Sequence, residues 1–301
     1  MRRLPFFRRS TLGEAVFDVV NVVVLAAILV ATVYPFLNVV AIAFNESVDT
    51  VRGGVTIYPR QFTTENFATI FTYTNLTTAF VNSVLRTVFG ALAGLGACSM
   101  LAYTLSRKDF RARKFVSVFL AVTMYVSGGL IPFFLLIRDL HLMNNFLVYL
   151  LPGVVGAFNV FMIRSFMDNL PAELQESAFM DGASDWTVYW KIILPLCKPV
   201  LATIALFIAV GQWNSWFDTY LYNGSTPELT TLQFELMKIL QSTQISQDAV
   251  HSANLLNNAQ RVSPDSIKMA ITVVTIVPIL AVYPFLQRYF VSGMTLGAVK
   301  A

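Results

Sequence analysis

Six long apolar stretches separated by polar segments dominate the chain: Val16 to Phe44, Val81 to Leu105, Phe115 to Ile137, Phe146 to Met167, Val200 to Tyr222 and Ile267 to Phe290. A helix needs roughly 20 apolar residues to cross a hydrocarbon layer of ~30 Å. Lipid offers backbone groups no other partner, so these stretches predict helices. The expected fold is all-α, a polytopic membrane protein with six transmembrane helices. Between them, Asn45 to Phe80 contains Gly53, Gly54 and Pro59 and predicts a loop with a short helix near Glu65 to Phe71. Arg138 to Asn145 is a tight connection. In the long segment Asn223 to Ser266, Leu229, Leu232, Leu236, Ile239 and Leu240 recur at helical spacing, predicting an amphipathic helix that either packs or meets a partner. Pro35, Gly128-Gly129, Pro132, Pro152-Gly153, Pro278 and Pro284 punctuate the stretches and allow bending.

Charge adds an orientation. Hydrophobic residues are 56% and charged ones 13% of the 301 residues, against about a quarter charged in soluble domains. Lys and Arg favour cytoplasmic loops. Five of them crowd Ser106 to Lys114, and Arg2, Arg3, Arg8 and Arg9 precede the first stretch. The opposite side holds Arg52, Arg60, Arg86, Arg138, Lys238, Arg261 and Lys268, half the number on the first. Both termini are therefore expected in the cytoplasm, with outer loops at 45–80 and 223–266. Residues 1–15 form a cytoplasmic segment and 16–301 one transmembrane domain. The first stretch is longer than the ~7–15 residue core of a signal peptide and reads as a retained helix. The net charge of +4 is a topology signal with no basic face for nucleic acid. Cys98 and Cys197 lie in predicted spans without metal or redox spacing and read as small apolar packers.

Asp168 to Lys198, between the fourth and fifth spans, is the most patterned inner segment. Asn169 is placed to cap a helix whose first turn holds Pro171, with Glu173 and Glu176 favoured by the helix dipole. Asp181-Gly182 ends it, because glycine reaches the left-handed conformation freely. Ser184 or Asp185 caps a second helix carrying Trp186, Tyr189, Trp190 and Ile193 on one stripe, which Leu194-Pro195 stops. The expected product is a helix–glycine–helix elbow, either a lever for another protein or an ordinary interfacial helix pair.

Here the residues resemble a known family. Glu176-Ser177-Ala178, then Gly182 and Ala183, then Ile192 and Leu194-Pro195 resemble the "EAA" loop of ABC-importer permeases, with Ser177 where the family usually has alanine. The whole chain is similar to sugar-importer permeases of the maltose-permease type. Within these it is closest to an oligosaccharide-importing subgroup that takes pectic or alginate-type fragments. The subgroup is marked by Ser127 to Pro132, by Trp213-Asn214-Ser215-Trp216-Phe217 and by Gln287 to Lys300, with Ala301 replacing an expected glycine. The resemblance implies a bacterial inner-membrane permease with two ATPase subunits, a second homologous permease and an extracytoplasmic solute-binding protein. It makes Glu176, Ala178, Asp181, Gly182, Ala183, Leu194 and Pro195 the ATPase-coupling residues, and lets the tail at Val299 and Lys300 reach the ATPase pair. ATP and Mg would be held by those partners, with no cofactor, metal or catalytic residue in this chain.

The chain has no G-x-x-x-x-G-K-[ST], so its energy must come from elsewhere. A proton-coupled carrier would place carboxylates or histidines at membrane depth. The third and sixth stretches have neither inside them, and Asp18 and Asp218 lie near span ends. A membrane enzyme would need a metal pair or a nucleophile with a base. No H-E-x-x-H occurs, and Asp139 near His141 reads as a solvated loop contact. Trp213, Asn214, Trp216, Phe217 and Asp218 set aromatic faces beside amide and carboxylate groups, a chemistry suited to pyranose rings. An interfacial aromatic belt with Tyr220 and Tyr222 explains them equally. The outer segments carry seven basic and eight acidic residues, so bulk charge does not choose between neutral and uronic sugars.

Overall fold

A computed structural model describes residues 12–73, 75–241, 263 and 265–281. Among the described residues the structure is helical, and the sole β pairing is an isolated bridge between Asn45 and Phe62. Two compact units divide the chain, 1–72 with 243–274 and 73–242 with 275–301.

In the first unit, α1 (Leu12–Ala43) is long and apolar enough to cross a membrane, and its side chains from Val16 to Phe36 are exposed within the unit. It runs through Pro35 without ending. Beyond it, α2 (Ser47–Val51) and α3 (Glu65–Tyr73) are tied by a buried polar knot. Asn45 accepts from the Gln61 amide at 3.0 Å and donates to Asp49 at 3.0 Å. Asn66 donates to the carbonyls of Ala43 and Asn45, and Arg60 reaches Asp49 at 2.9 Å. The predicted short helix is α3, two residues longer than expected.

The second unit is built around α4 (Leu76–Ser106) and α11 (Lys198–Asn214), which pack along each other, with α7 (Ala157–Met167) against α4. Every fourth residue of α4 is buried along this stretch: Asn82, Arg86, Gly90, Gly94, Cys98 and Ala102. The spacing sets each beside the next, in a row that winds slowly around the helix from the Glu228 and Thr230 carbonyls at Asn82 to the Val154 and Gly156 carbonyls at Cys98. A Cβ on Gly90 would stand 2.8 Å from the Gln212 side chain, and one on Gly94 3.2 Å from Ile208, so the glycines set the helix separation. Cys98 and Cys197 are buried and free, the packing role expected of them.

Three predicted spans are not single helices. The third is α5 (Arg113–Tyr125) and α6 (Leu130–Asp139), bent by 117° at Val126–Gly129, where Gly129 takes φ +87°. The fourth opens with a 3-10 turn at Phe146–Tyr149 and becomes helical only at Ala157, because Pro152-Gly153 falls between. The fifth breaks at Ser215-Trp216, giving α11 and then α12 (Phe217–Tyr222). The sixth is helical over its described part, 265–281. In the segment after α12, Leu229 sits in a 3-10 turn (Pro227–Leu229) and the amphipathic helix starts later, at 232–241, with Leu232 buried.

Candidate functional site

The elbow follows α7. Asn169 bonds backward to the Ser165 carbonyl at 2.7 Å, closing α7 instead of capping the next helix. Accordingly α8 (Glu173–Met180) begins at Ala172 without a side-chain cap, and Glu173 and Glu176 sit in its first turn. Its end is a Schellman motif. The Ala183 amide bonds the Ala178 carbonyl at 2.9 Å and the Gly182 amide bonds Phe179 at 3.0 Å, with Gly182 at φ +80°. Ala178 is buried and Ala183 packs on the same core. Glu176, Ser177, Met180 and Asp181 are exposed around them.

Ser184, not Asp185, caps the second helix, accepting from the Thr187 amide at 3.3 Å. That helix is α9 (Asp185–Val188), a π turn (Tyr189–Ile193) and α10 (Leu194–Leu196). Pro195 does not stop it as expected. Proline lacks a donor and its ring crowds the carbonyl four residues back. The π turn relieves this by pairing the Leu194 amide with Tyr189, five residues back, and the helix runs on to Leu196. It then bends by 82° at Cys197 into α11. Val188, Tyr189 and Ile193 face the core, and the Tyr189 hydroxyl lies 2.8 Å from Ser99 on α4. Trp186 and Trp190, expected on the same stripe, point outward as an edge-on pair 5.8 Å apart.

The loop between α4 and α5 supports the elbow. Arg107 donates to Asp109 at 3.0 and 3.1 Å and to Gln175 on α8 at 3.3 Å. Its guanidinium also lies 3.5 Å from Asp185 and 4.7 Å over the Phe179 ring. The bond to Asp109 raises the Arg107 pKa and holds the Asp109 carboxyl below its ordinary value. Asp168, at the elbow's entry, lies 3.3 Å from Arg164 and 3.6 Å from Arg113.

The aromatic set near the other end of α11 separates into buried and exposed parts. Trp213 is buried, its indole donating to the Thr275 carbonyl at 3.2 Å, with Phe80 edge-on. Asn214 is exposed and accepts from Gln233 at 3.2 Å. Trp216, Phe217 and Tyr220 form a ridge of touching rings, with Phe217 and Tyr220 outward. Asp218 is held by Arg86, whose second nitrogen bonds it at 3.2 Å.

Arg86 is the residue that sequence reasoning misplaced. Counted with the outer segments, it instead lies inside α4, its side chain 2% exposed. It donates to Gln212 and the Ser215 carbonyl as well as Asp218, and stands 4.4 Å over the Tyr149 ring. The signal was available: a cation within a predicted span calls for an acid in another, and Asp218 is that acid. Val299 and Lys300 lie outside the described residues.

Long apolar helices, spans broken at glycine and proline, and a bent helix pair standing on their end define a membrane-embedded transport component. Residues 87–296 match the family described as binding-protein-dependent transport system inner membrane components. The chain belongs to that family, which places it in the inner membrane. It is 35% identical to the protein LplC of Bacillus subtilis, over 97% of both chains. It is 34% identical to the polygalacturonan/rhamnogalacturonan transport system permease protein YtcP of Bacillus subtilis, over 89% of this chain and 92% of that one. Among solved structures it is similar to a chain of a bacterial ABC transporter involved in the import of the acidic polysaccharide alginate. The TM-score is 0.83 and the identity 30%, covering 95% of this chain and all of that one.

Proposed function

We propose that the chain is one permease subunit of an ATP-driven importer of oligosaccharides, with uronic oligomers the favoured substrates. The observation that carries the reading is the elbow. Its Schellman turn fixes α8 so that Ala178 anchors inward while Glu176, Ser177, Met180 and Asp181 stand free for a partner. With six spans and both termini in the cytoplasm, this surface meets an ATPase subunit, Glu176 pairing with a basic group there. ATP closure of two such subunits carries the elbows of this permease and a second, homologous one, and the spans tilt to open a shared cavity toward a solute-binding protein. Moving Arg86 out of the outer count steepens the charge asymmetry on which the orientation rests. The uronic preference is supported by the named substrates of the two relatives above, and the exposed Phe217 and Tyr220 of the aromatic ridge supply faces for sugar rings.

Reconstitution tests this directly. The permease pair, ATPase and binding protein in proteoliposomes should take up labelled oligogalacturonate or oligoalginate in preference to neutral oligosaccharides, and only with ATP inside. ATP-independent uptake, or none with any oligosaccharide, refutes the assignment. Preference for a neutral oligosaccharide refutes the uronic part alone.

A further inference from the structure

The basic loop between α4 and α5 is the densest run of positive charge in the chain, and membrane orientation alone would account for its composition. Its geometry does more. One guanidinium, that of Arg107, touches Gln175 and Phe179 on α8, Asp185 at the start of α9, and Asp109 in its own loop. Gln175 and Phe179 are four residues apart and so share a face of α8. The contacts lie on both sides of the Gly182 bend. Exposed ion pairs contribute little, and Asp185 is 70% exposed. Arg107 itself is only 21% exposed, and Asp109 pre-orients its planar fork.

We infer that Arg107 is a positioning residue for energy coupling: it fixes the angle between α8 and α9 and ties both to the end of α4. This rests on the reading of the elbow as the part that receives force from an ATPase. Space around Gly182 is open, with nothing within 4 Å of where a Cβ would stand. Without the tie, the elbow swings about that glycine and absorbs the displacement locally. With it, the displacement passes to α4 and through α4 to α11, its packed neighbour.

The test uses the whole importer in proteoliposomes and reads sugar taken up per ATP hydrolysed. In Arg107→Ala, the ATPase should still co-purify while the ratio falls about eightfold, the middle of what residues in a coupling network modulate. Arg107→Lys, keeping the charge without the fork, should recover only part. Arg107→Cys with Gln175→Cys, joined by a short bis-maleimide, should restore the ratio and decides the matter if the alanine variant fails to assemble. An unchanged ratio in Arg107→Ala, or a tethered protein that assembles but stays uncoupled, overturns the inference. A cysteine at exposed Glu173 on α8, cross-linked to the ATPase in the same preparations, separates the two layers. Cross-linking with an unchanged ratio sinks the role of Arg107 alone, whereas no cross-link to the ATPase sinks the elbow reading beneath it.

Discussion

Arg86 donates to Asp218, Gln212 and the Ser215 carbonyl, so one side chain joins α4 to both halves of the broken fifth span. Removing one partner of such a pair leaves the other charge without compensation, whereas replacing both with apolar groups is far better tolerated. Arg86→Ala should therefore cost about 3–5 kcal/mol, and Arg86→Met with Asp218→Leu should recover most of it. Thermal unfolding in detergent checks this, and equal losses in the single and double variants would show that the pair is not the unit. The polar knot after α1 has its own signature in pH. The Asn45 hydrogen bond, against the cost of burial and with help from Arg60, holds the Asp49 carboxyl below its ordinary value of 3.8. A depressed folded pKa gives stability that is complete above the unfolded value and is lost as pH falls toward the folded one. Amide exchange over residues 45–61 should therefore stay slow down to that ordinary value and quicken below it, and Asp49→Asn should remove the acid step. A step centred near neutrality would point to a different group.

The elbow was legible because its rules are local. Gly182 reaches φ +80°, where side-chain-bearing residues other than Asn and Asp pay about 1–2 kcal/mol. Since no neighbour blocks a side chain there, the backbone alone sets the penalty. Gly182→Asn should keep the ATPase bound and coupled better than Gly182→Val, measured as co-purification and sugar-stimulated ATP hydrolysis. Equal damage by both would mean that something other than backbone conformation matters at this position. Local rules also explain two misreadings. Asn169 has two backbone ends within reach and chose the carbonyl behind it, and Pro195 was absorbed by a π turn that no composition signals. The broken spans were harder to read for another reason. An apolar run has the same composition whether or not its backbone is continuous, so Val126–Gly129 left only its glycines as evidence and Ser215-Trp216 left none. Likewise Trp186 and Trp190 fit the stripe by spacing, but the buried face is centred on Val188, Tyr189 and Ile193 and leaves both indoles outside it.

At the scale of the molecule, two described helices are long and apolar enough to cross a membrane by themselves, and two bent pairs qualify if each is one span. Six crossings require the 146–167 stretch to span with its helix confined to Ala157–Met167, and the sixth to continue past the described residues. The first requirement is met physically if backbone groups in 150–156 are satisfied by protein, because irregular backbone is stable at membrane depth only when buried. Cys98 on α4 lies against the Val154 and Gly156 carbonyls at 3.7 and 3.8 Å, which places that irregular segment against a helix and not in lipid. The proposed topology makes a directional prediction. A cysteine at exposed Asp181 should react with a membrane-impermeant maleimide only in inverted vesicles, and one at exposed Tyr58 only in right-side-out ones. The native Cys98 and Cys197 are buried and should stay silent, so the variants report by themselves. Labelling of both positions from one side would demand an even number of crossings between them. If that side is the one open in right-side-out vesicles, no ATPase could reach the elbow, and a lever driven by ATP would have to be given up.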